Sequence, residues 1–547
     1  MTARALVDRM EARVGFCTQT TAKLTIVALQ DTGALSVSCT GGSVSITTPL
    51  TGIGDDHPTH GAEQFPLYYA HVDISGLSPG QTYTWQASKN GIGIEGTLRT
   101  MPADGQDYAF VMSTCERGTQ FSPVDVHQIL RDYCAAQTIP VYWYAHIDDL
   151  WYTDSERIGW GNPLASDPAS GLALSNTGSG GDPQDTGLAW DYSVNWAGYF
   201  GLLDSWAYSR RPSRMWWHRN MPMWAQWGDH EVASNWQRGH GGQGSWYGPK
   251  ETPAYSADGD FAPVGTEDFF ASVARPLWEA LFGQASPPKL RAGGQHWAVS
   301  VGPVAFAAVD MNTYADGRHG LTTGSGADSG RQADGSVNAA TGDTTLPYLG
   351  SDQIGDLLGY YAAQAKPFNV LFTSNGIASH NEPWGQWWVD DFDDLMTRAT
   401  VGTLNSSGLN GATGKLCVLK GDTHSLHAVS YRSNGAAGGL GGASYSDHEL
   451  WEICPGTLNG SGTAATSFQY KLFGQRVHLK RDATGPRGRD YHAFLHVTVH
   501  ASETPQRMVV RMVETTSGQA EVIWQGQWRA DVAGNGFARV NEAQNIG

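Results

Sequence analysis

The sequence predicts an α/β fold with mixed sheets, preceded by a small all-β unit. Three observations lead there. The first hundred residues carry short runs of alternating apolar and polar residues separated by turn residues. From Asp107 onward, apolar strand-like runs alternate with helical patterns. Clusters of carboxylates, histidine and cysteine then fall just beyond those apolar runs, where strand ends carry loops.

In the N-terminal part, residues 22–29, 34–39 and 69–74 have the period of two expected of half-buried strands in a small β-sandwich. Asn90-Gly91 is a hairpin-turn dipeptide. The segment from Leu77 to Tyr83 resembles the turn-plus-tyrosine signature of fibronectin type III-like domains. A boundary near residues 102–105 divides the chain into a β-unit, 1–104, and a larger α/β part, 105–547.

Within the larger part, residues 108–112 read as a buried strand. Ser122-Pro123 then caps a helix whose apolar face is Val126, Ile129, Leu130 and Tyr133. A second strand, 140–145, runs into His146-Ile-Asp-Asp149. Further strands are expected at 223–227, 296–301, 304–309, 368–373 and 416–419, with helices at 266–282, 351–365 and 389–400. Alternation returns at 492–500 and 507–512. Glycine-rich stretches at 161–187, 239–259, 315–345, 405–414 and 433–444 read as surface insertions, some of which could frame a cleft.

Composition narrows the function classes. The 547 residues hold 53 Asp and Glu against 35 Lys and Arg, a net charge of −18, which argues against a basic nucleic-acid or anionic-membrane binder. With 40 % hydrophobic residues, 21 Trp and 21 Tyr, the chain is too apolar to be disordered as a whole. Six scattered cysteines without a Cys-x-x-Cys pair do not suggest a disulfide framework or a structural zinc site. No apolar run approaches the ~18 residues of a membrane span, so none is expected. Arg4, Asp8, Arg9, Glu11 and Arg13 interrupt any signal-peptide core, so no export leader is expected, and localisation and oligomeric state stay open.

The chemistry gathers at the strand ends. Ser113-Thr-Cys115 follows the first strand, and Asp148-Asp149-Leu-Trp-Tyr152-Thr-Asp154 the second. The third is followed by Gly228-Asp229-His230-Glu231-Val-Ala-Ser-Asn235. Asp310-Met-Asn312 and Gly421-Asp422-Thr-His424-Ser-Leu-His427 come later. Each cluster has an ordinary explanation: an Asp after a strand often caps a turn, a lone buried Cys usually packs, and a His can be a hydrogen-bonded core residue. Their joint occurrence in one α/β pattern suits a binuclear metal site, whose ions sit ~3.5–4 Å apart and draw ligands from several strand ends.

The order of these motifs resembles the calcineurin-like metallophosphoesterases, and their wording the PhoD alkaline phosphatase branch. His146-Ile-Asp-Asp149-Leu-Trp-Tyr152-Thr-Asp154 matches the branch's His-Leu-Gly-Asp-x-x-Tyr-x-Asp. Trp227-Gly-Asp229-His230-Glu231-Val-Ala-Ser-Asn235 matches Trp-Asp-Asp-His-Glu-Val-x-x-Asn, and Gly421-Asp422-Thr-His424 matches Gly-Asp-x-His. Thr114-Cys115 matches the branch's Ser-Cys loosely; residues 349–353 and 450–456 also fit. Three departures stand out: Asp148 replaces a glycine, Gly228 replaces an aspartate, and Asn312 stands where the family has an arginine, for which Arg318 is a possible substitute.

This resemblance implies a four-layer αββα sandwich behind a fibronectin type III-like domain, and hydrolysis of phosphate monoesters or diesters by a metal-bound hydroxide. It implies metal ligands Cys115, Asp149, Tyr152, Asp229, Asp422 and His424. His230 would stabilise the transition state or protonate the leaving group, with Asp229 also catalytic and Asn235 contacting phosphate. Thiolate and phenolate favour Fe(III), and surplus carboxylates such as Asp148 and Asp154 suit Ca(II); the motifs alone equally permit zinc or manganese. The expected partner is a small phosphate ester, with nucleic acid only as a possible substrate. The alternatives are a phosphodiesterase or phospholipase D-type hydrolase on the same fold, and a tryptophan-rich glycan-binding protein on a decayed phosphatase scaffold. The last leans on Trp216, Trp217, Trp224, Trp227, Trp384, Trp387 and Trp388.

Overall fold

The computed structural model describes residues 10–28, 33–53, 67–116, 125–148, 150, 212–228, 231, 236–237, 241–242, 275–292, 294–310, 351–374, 415–421, 426–432, 449–458, 474–481 and 492–531. The first seven strands are β1 (Met10–Cys17), β2 (Thr21–Ala28), β3 (Ser36–Cys39), β4 (Ser43–Ile53), β5 (Leu67–Ser75), β6 (Thr82–Lys89) and β7 (Ile92–Arg99). They form two antiparallel sheets of order β1-β2-β5-β4 and β3-β6-β7. The two share an apolar core that includes Leu24, Ile26, Val72, Ile74, Trp85 and Leu98. The Tyr83 hydroxyl accepts a hydrogen bond from the backbone N–H of Ser78 at 2.7 Å, as the turn-plus-tyrosine pattern predicts. Asn90 and Gly91, with φ of 53° and 81°, turn the β6–β7 hairpin.

The next elements are β8 (Tyr108–Ser113), α1 (Val126–Ala135), β9 (Val141–Ile147), α2 (Pro212–Asn220) and β10 (Met223–Gln226). After the short pair β11 (Trp236–Gln237) and β12 (Gly241–Gly242) come α3 (Arg275–Phe282), β13 (Trp297–Val301), β14 (Val304–Ala308), α4 (Ser351–Gln364), β15 (Phe368–Thr373) and β16 (Lys415–Lys420). The last are β17 (Leu426–Arg432), β18 (Glu449–Pro455), β19 (Gly474–Arg481), β20 (Ala493–His500), β21 (Arg507–Glu514) and β22 (Glu521–Arg529). They build two mixed sheets, β10-β9-β8-β20-β21-β22 and β13-β14-β15-β16-β18-β17-β19. In the first sheet β8, β9 and β10 are parallel; in the second β14, β15, β16 and β18 are.

Every residue of β8, β9 and β15 is buried, as expected of central parallel strands covered on both faces. Alternate residues of the two sheets meet in one apolar layer containing Phe110, Met112, Trp143, Trp224, Phe306, Phe372, Leu419 and Trp451. Trp143 stacks between Phe110 at 5.0 Å and Trp224 at 4.3 Å, with Phe306 edge-on at 5.7 Å. On the opposite face of the first sheet, Val111, Tyr144 and Met223 pack with Val126, Leu130 and Trp217.

Helix α2 ties the first seven strands to the first mixed sheet. Arg219 pairs with Glu11 of β1, Nε to Oε2 at 2.8 Å, and its carbonyl accepts from Trp85 Nε1 at 3.1 Å. Asn220 Oδ1 accepts the backbone N–H of Thr97 at 3.0 Å. A side chain at Gly96 would strike the Arg219 carbonyl, so only glycine allows this approach.

Several expectations need correction. Asp125, not Ser122-Pro123, caps α1: its carboxylate accepts the N–H of Gln128 at 3.1 Å. The buried face of α1 is Val126, His127 and Leu130, while Ile129 and Tyr133 are half-buried. Trp217, Trp224 and Trp227 are interior and Trp216 is half-buried against the core, so their contribution is packing rather than glycan stacking; Trp384, Trp387 and Trp388 lie outside the described residues. So do the expected helix at 389–400, residues 266–274 of the expected helix 266–282, and the glycine-rich stretches apart from Gly241 and Gly242. Among the described residues, no helix is long and apolar enough to cross a membrane. No disulfide joins any of the six cysteines.

Because Trp143 is fully buried between two rings, Trp143→Ala should cost about 3–5 kcal/mol. Chemical denaturation of the variant checks this; a loss under about 1 kcal/mol would show that the layer re-closes around the cavity.

Candidate functional site

The parallel strands of each mixed sheet end on one edge, and these edges meet. At the first, the N–H of Cys115 donates to the carbonyl of Asp148 at 3.2 Å, and the N–H of Asp148 to the carbonyl of Gln226 at 2.9 Å, linking the ends of β8, β9 and β10. At the second, the N–H of Gly421 donates to the carbonyl of Thr373 at 2.9 Å, linking β16 to β15. The sheets touch at Gly421. A Cβ placed there would lie 2.6 Å from Asp148 Cβ, 2.6 Å from Thr114 Oγ1 and 2.9 Å from the carbonyl oxygen of Ile147. The N–H of Leu458, beyond β18, donates to the carbonyl of Thr114 at 3.1 Å. Trp227 Nε1 reaches Asp310 Oδ1 at 3.3 Å, joining the end of β10 to that of β14.

Two residues at this junction sit in the left-handed region, Cys115 at φ 52° and Asp148 at φ 74°, and both are fully buried. For a non-glycine residue this conformation costs ~1–2 kcal/mol, and it persists where neighbouring contacts over-determine it. The positive φ at 148 gives a physical reason why the related motif carries glycine there. In this chain Asp148 takes a backbone shape that glycine adopts freely, and adds a carboxyl group.

Buried carboxylates brace the loops that follow these strands. Glu231, fully buried, accepts the N–H of Leu150 through Oε1 at 2.6 Å and the N–H of Gly228 through Oε2 at 2.6 Å. One side chain thereby joins the loop after β9 to the loop after β10. Gln353 of α4 does the same for Asp310: its Oε1 accepts the Asp310 N–H at 2.7 Å, and its Nε2 donates to the Asp310 carbonyl at 3.0 Å. Behind β16, Glu452 of β18 lies 3.7 Å from Lys420 Nζ and 3.3 Å from His427 Nε2, all buried. Lys420 and His427 flank the Gly-Asp-x-His segment, so Glu452 holds both sides of it.

Next to Cys115, the Glu116 carboxylate lies among Arg214, His127 and His146. Burial raises its pKa, but the charges of Arg214, His127 and His146 outweigh that and hold it well below the usual carboxylate range. Burial, with Glu116 adding, pushes the Tyr144 hydroxyl well above its normal value. Burial, with Arg13 and Arg214 adding, drives His218 well below its own.

Of the residues the sequence singles out, Cys115 stands at the junction, with its N–H on the carbonyl of Asp148. Asp149, Tyr152, Asp229, His230, Asn235, Asp422 and His424 lie outside the described residues, as do Asp154, Asn312 and Arg318. The immediate sequence neighbours of several of them, namely Asp148, Leu150, Gly228, Glu231 and Gly421, are the residues whose contacts define the junction. Among the described residues, no group of three His, Cys, Asp or Glu side chains is arranged to hold a metal ion. Sequence reasoning gave no bracing role to Glu116, Glu231, Gln353 or Glu452. A carboxylate one residue after a candidate ligand was the available signal for the first.

Comparisons with known proteins bear on the family and the fold. A family model described as "PhoD-like phosphatase" matches residues 207–504. A solved structure titled "Structure of PhoD" superposes with a TM-score of 0.62 at 12 % identity, covering 98 % of this chain and 92 % of that one. A search of curated proteins finds no match by sequence.

Glu231→Gln keeps one acceptor but turns an amide N–H toward a backbone N–H. It should destabilise the fold by about 1–3 kcal/mol and lower turnover on a phosphate ester. Denaturation midpoints and initial rates check this, and unchanged values would contradict the brace.

Proposed function

The chain belongs to the PhoD-like phosphatase family, and from that premise we propose that it hydrolyses phosphate esters at the junction of the two sheets with the help of bound metal ions. The observation that carries this reading is the crowding at Gly421, which brings the ends of β8, β9 and β16 into contact at the positions where the motif residues branch off.

The donor set suits metal. A buried thiol at Cys115 stands at the same strand-end junction as the buried carboxyl groups of Asp148 and Asp310, and thiolate and carboxylate are donors that borderline and hard cations accept. In this reading Cys115, Asp149, Tyr152, Asp229, Asp422 and His424 hold the ions. The pairing of thiolate and phenolate with carboxylates favours Fe(III) with Ca(II), and zinc or manganese are the other candidates. Such ions, when bound, activate water and neutralise the charge that develops on a transferring phosphoryl group.

The chain's own residues do the rest. His230 protonates the leaving alkoxide or donates to the phosphoryl oxygens as the bond breaks. Asn235 contacts the phosphate and orients it. Glu231 and Gln353 keep the strand-end loops from relaxing apart between turnovers. Two further features of the family reading belong to this proposal: a four-layer αββα arrangement for residues 105–547, and a fibronectin type III-like character for residues 1–104.

Chelation should abolish hydrolysis of an aryl phosphate, and restoring metal should recover it; indifference to chelator sinks the metal reading. Asp149→Asn and His230→Ala should each lower kcat by about 10²–10⁴-fold with the circular dichroism spectrum unchanged, and near-normal rates refute their roles. Running monoester and diester substrates side by side separates phosphatase from phosphodiesterase.

A further inference from the structure

We propose that Glu116 is a positioning residue that fixes Cys115 at the strand-end site through a buried charge cluster shared by β8, α1, α2 and β9. The inference rests on the reading of Cys115 as a metal ligand given above. The cluster is compact: Glu116 Oε1 lies 2.8 Å from His127 Nε2 of α1 and 2.9 Å from Arg214 Nε of α2, and Oε2 lies 3.9 Å from His146 Nδ1 of β9. None of these side chains is more than 3 % exposed. Ser113, the last residue of β8, completes it, with Oγ 3.1 Å from His146 Nδ1 and bonded to the Tyr144 hydroxyl.

Stability is a poor explanation for such a cluster. Removing charges from water costs about as much as their attraction returns, and a well-packed apolar pair commonly does as well. A cluster of this kind does supply a single geometry, which Cys115 requires. Its φ of 52° is a conformation the chain would leave if its surroundings allowed. The residue is held from the sheet side by its own N–H on the Asp148 carbonyl, and Thr114 is held by the Leu458 N–H. Glu116 adds the third anchor, immediately C-terminal to the thiol.

The anchor is itself anchored. Ser213 of α2 donates to the carboxylate of Asp125, the cap of α1, at 2.7 Å, and Trp217 Nε1 donates to the His127 carbonyl at 3.1 Å. At its other end α2 is gripped by Glu11, Trp85 and Thr97 of the first seven strands. The N-terminal strands thus bear on Cys115 through α2, with the Glu11–Arg219 pair at one end and the Arg214–Glu116 pair at the other.

The test compares the full chain with Glu116→Gln and with the double variant Glu116→Gln/Arg214→Met. Glu116→Gln removes a buried counter-charge 2.9 Å from Arg214 and should unfold at a lower temperature. The double variant removes both charges and should regain most of that melting temperature. If Glu116 positions Cys115, the double variant still loses metal to EDTA about ten-fold faster than the wild type. Its kcat on p-nitrophenyl phosphate also falls by about ten-fold, with KM nearly unchanged. A double variant that regains the melting temperature and also retains metal and kcat like the wild type makes the cluster purely structural and overturns the inference alone. A wild-type chain without metal overturns the reading of Cys115 and the inference with it. Should the double variant not fold, Glu116→Asp keeps the charge but withdraws it by one methylene. Faster metal loss than wild type then supports the positioning role, and wild-type retention overturns it.

Discussion

Two mixed sheets cannot approach at their strand ends as these do unless residue 421 lacks a side chain. Any Cβ there would meet Asp148, Thr114 and the Ile147 carbonyl at 2.6–2.9 Å. Much else follows from this contact. It sets the C-terminal ends of β8 and β9 against that of β16, bringing together strand ends some three hundred residues apart in the chain. The aromatic layer between the sheets, centred on Trp143 and its two stacked neighbours, supplies the rigid spacing behind the contact.

A junction this tight forces the backbone into expensive shapes, and the fold meets that cost with buried polar groups. Cys115 and Asp148 both take positive φ. Around them Glu116, Glu231, Gln353 and Glu452 each tie one loop to a neighbouring element. These side chains are acidic or amide-bearing because backbone N–H groups and buried cations need acceptors. The net charge of −18 therefore has two components of different meaning. Some carboxylates are already neutralised by arginine, lysine or backbone N–H groups. Others, among them Asp149, Asp229 and Asp422, are proposed to await metal, which reconciles an acidic protein with an anionic substrate.

The strands and motif order were legible because they rest on local signals. The apolar runs ending at Met112, Ala145 and Thr373 marked buried parallel strands. Asn90-Gly91 marked a hairpin, and Tyr83 the turn that leads into β6. What stayed hidden depends on partners far away in sequence. Asp125 caps α1 where Ser122-Pro123 was expected, because its carboxylate also receives Ser213 from α2, some ninety residues on. Glu116 gains its meaning only from Arg214 and His127, and Gln353 only from Asp310. The tryptophans looked available to a ligand because composition does not distinguish a cleft wall from the layer between two sheets. Asp148 was legible as a departure from the related motif, yet its left-handed backbone, the reason glycine suits that position, appears only in three dimensions.

In the proposed reading the junction of the sheets is a metal site that includes the buried, positive-φ thiol of Cys115. Elemental analysis of the purified full chain beside its Cys115→Ala variant tests it most directly. The expected result is stoichiometric metal in the wild type and roughly one ion per chain fewer in the variant, with the circular dichroism spectrum unchanged. Absence of metal from the wild type, or equal metal in both, would contradict it.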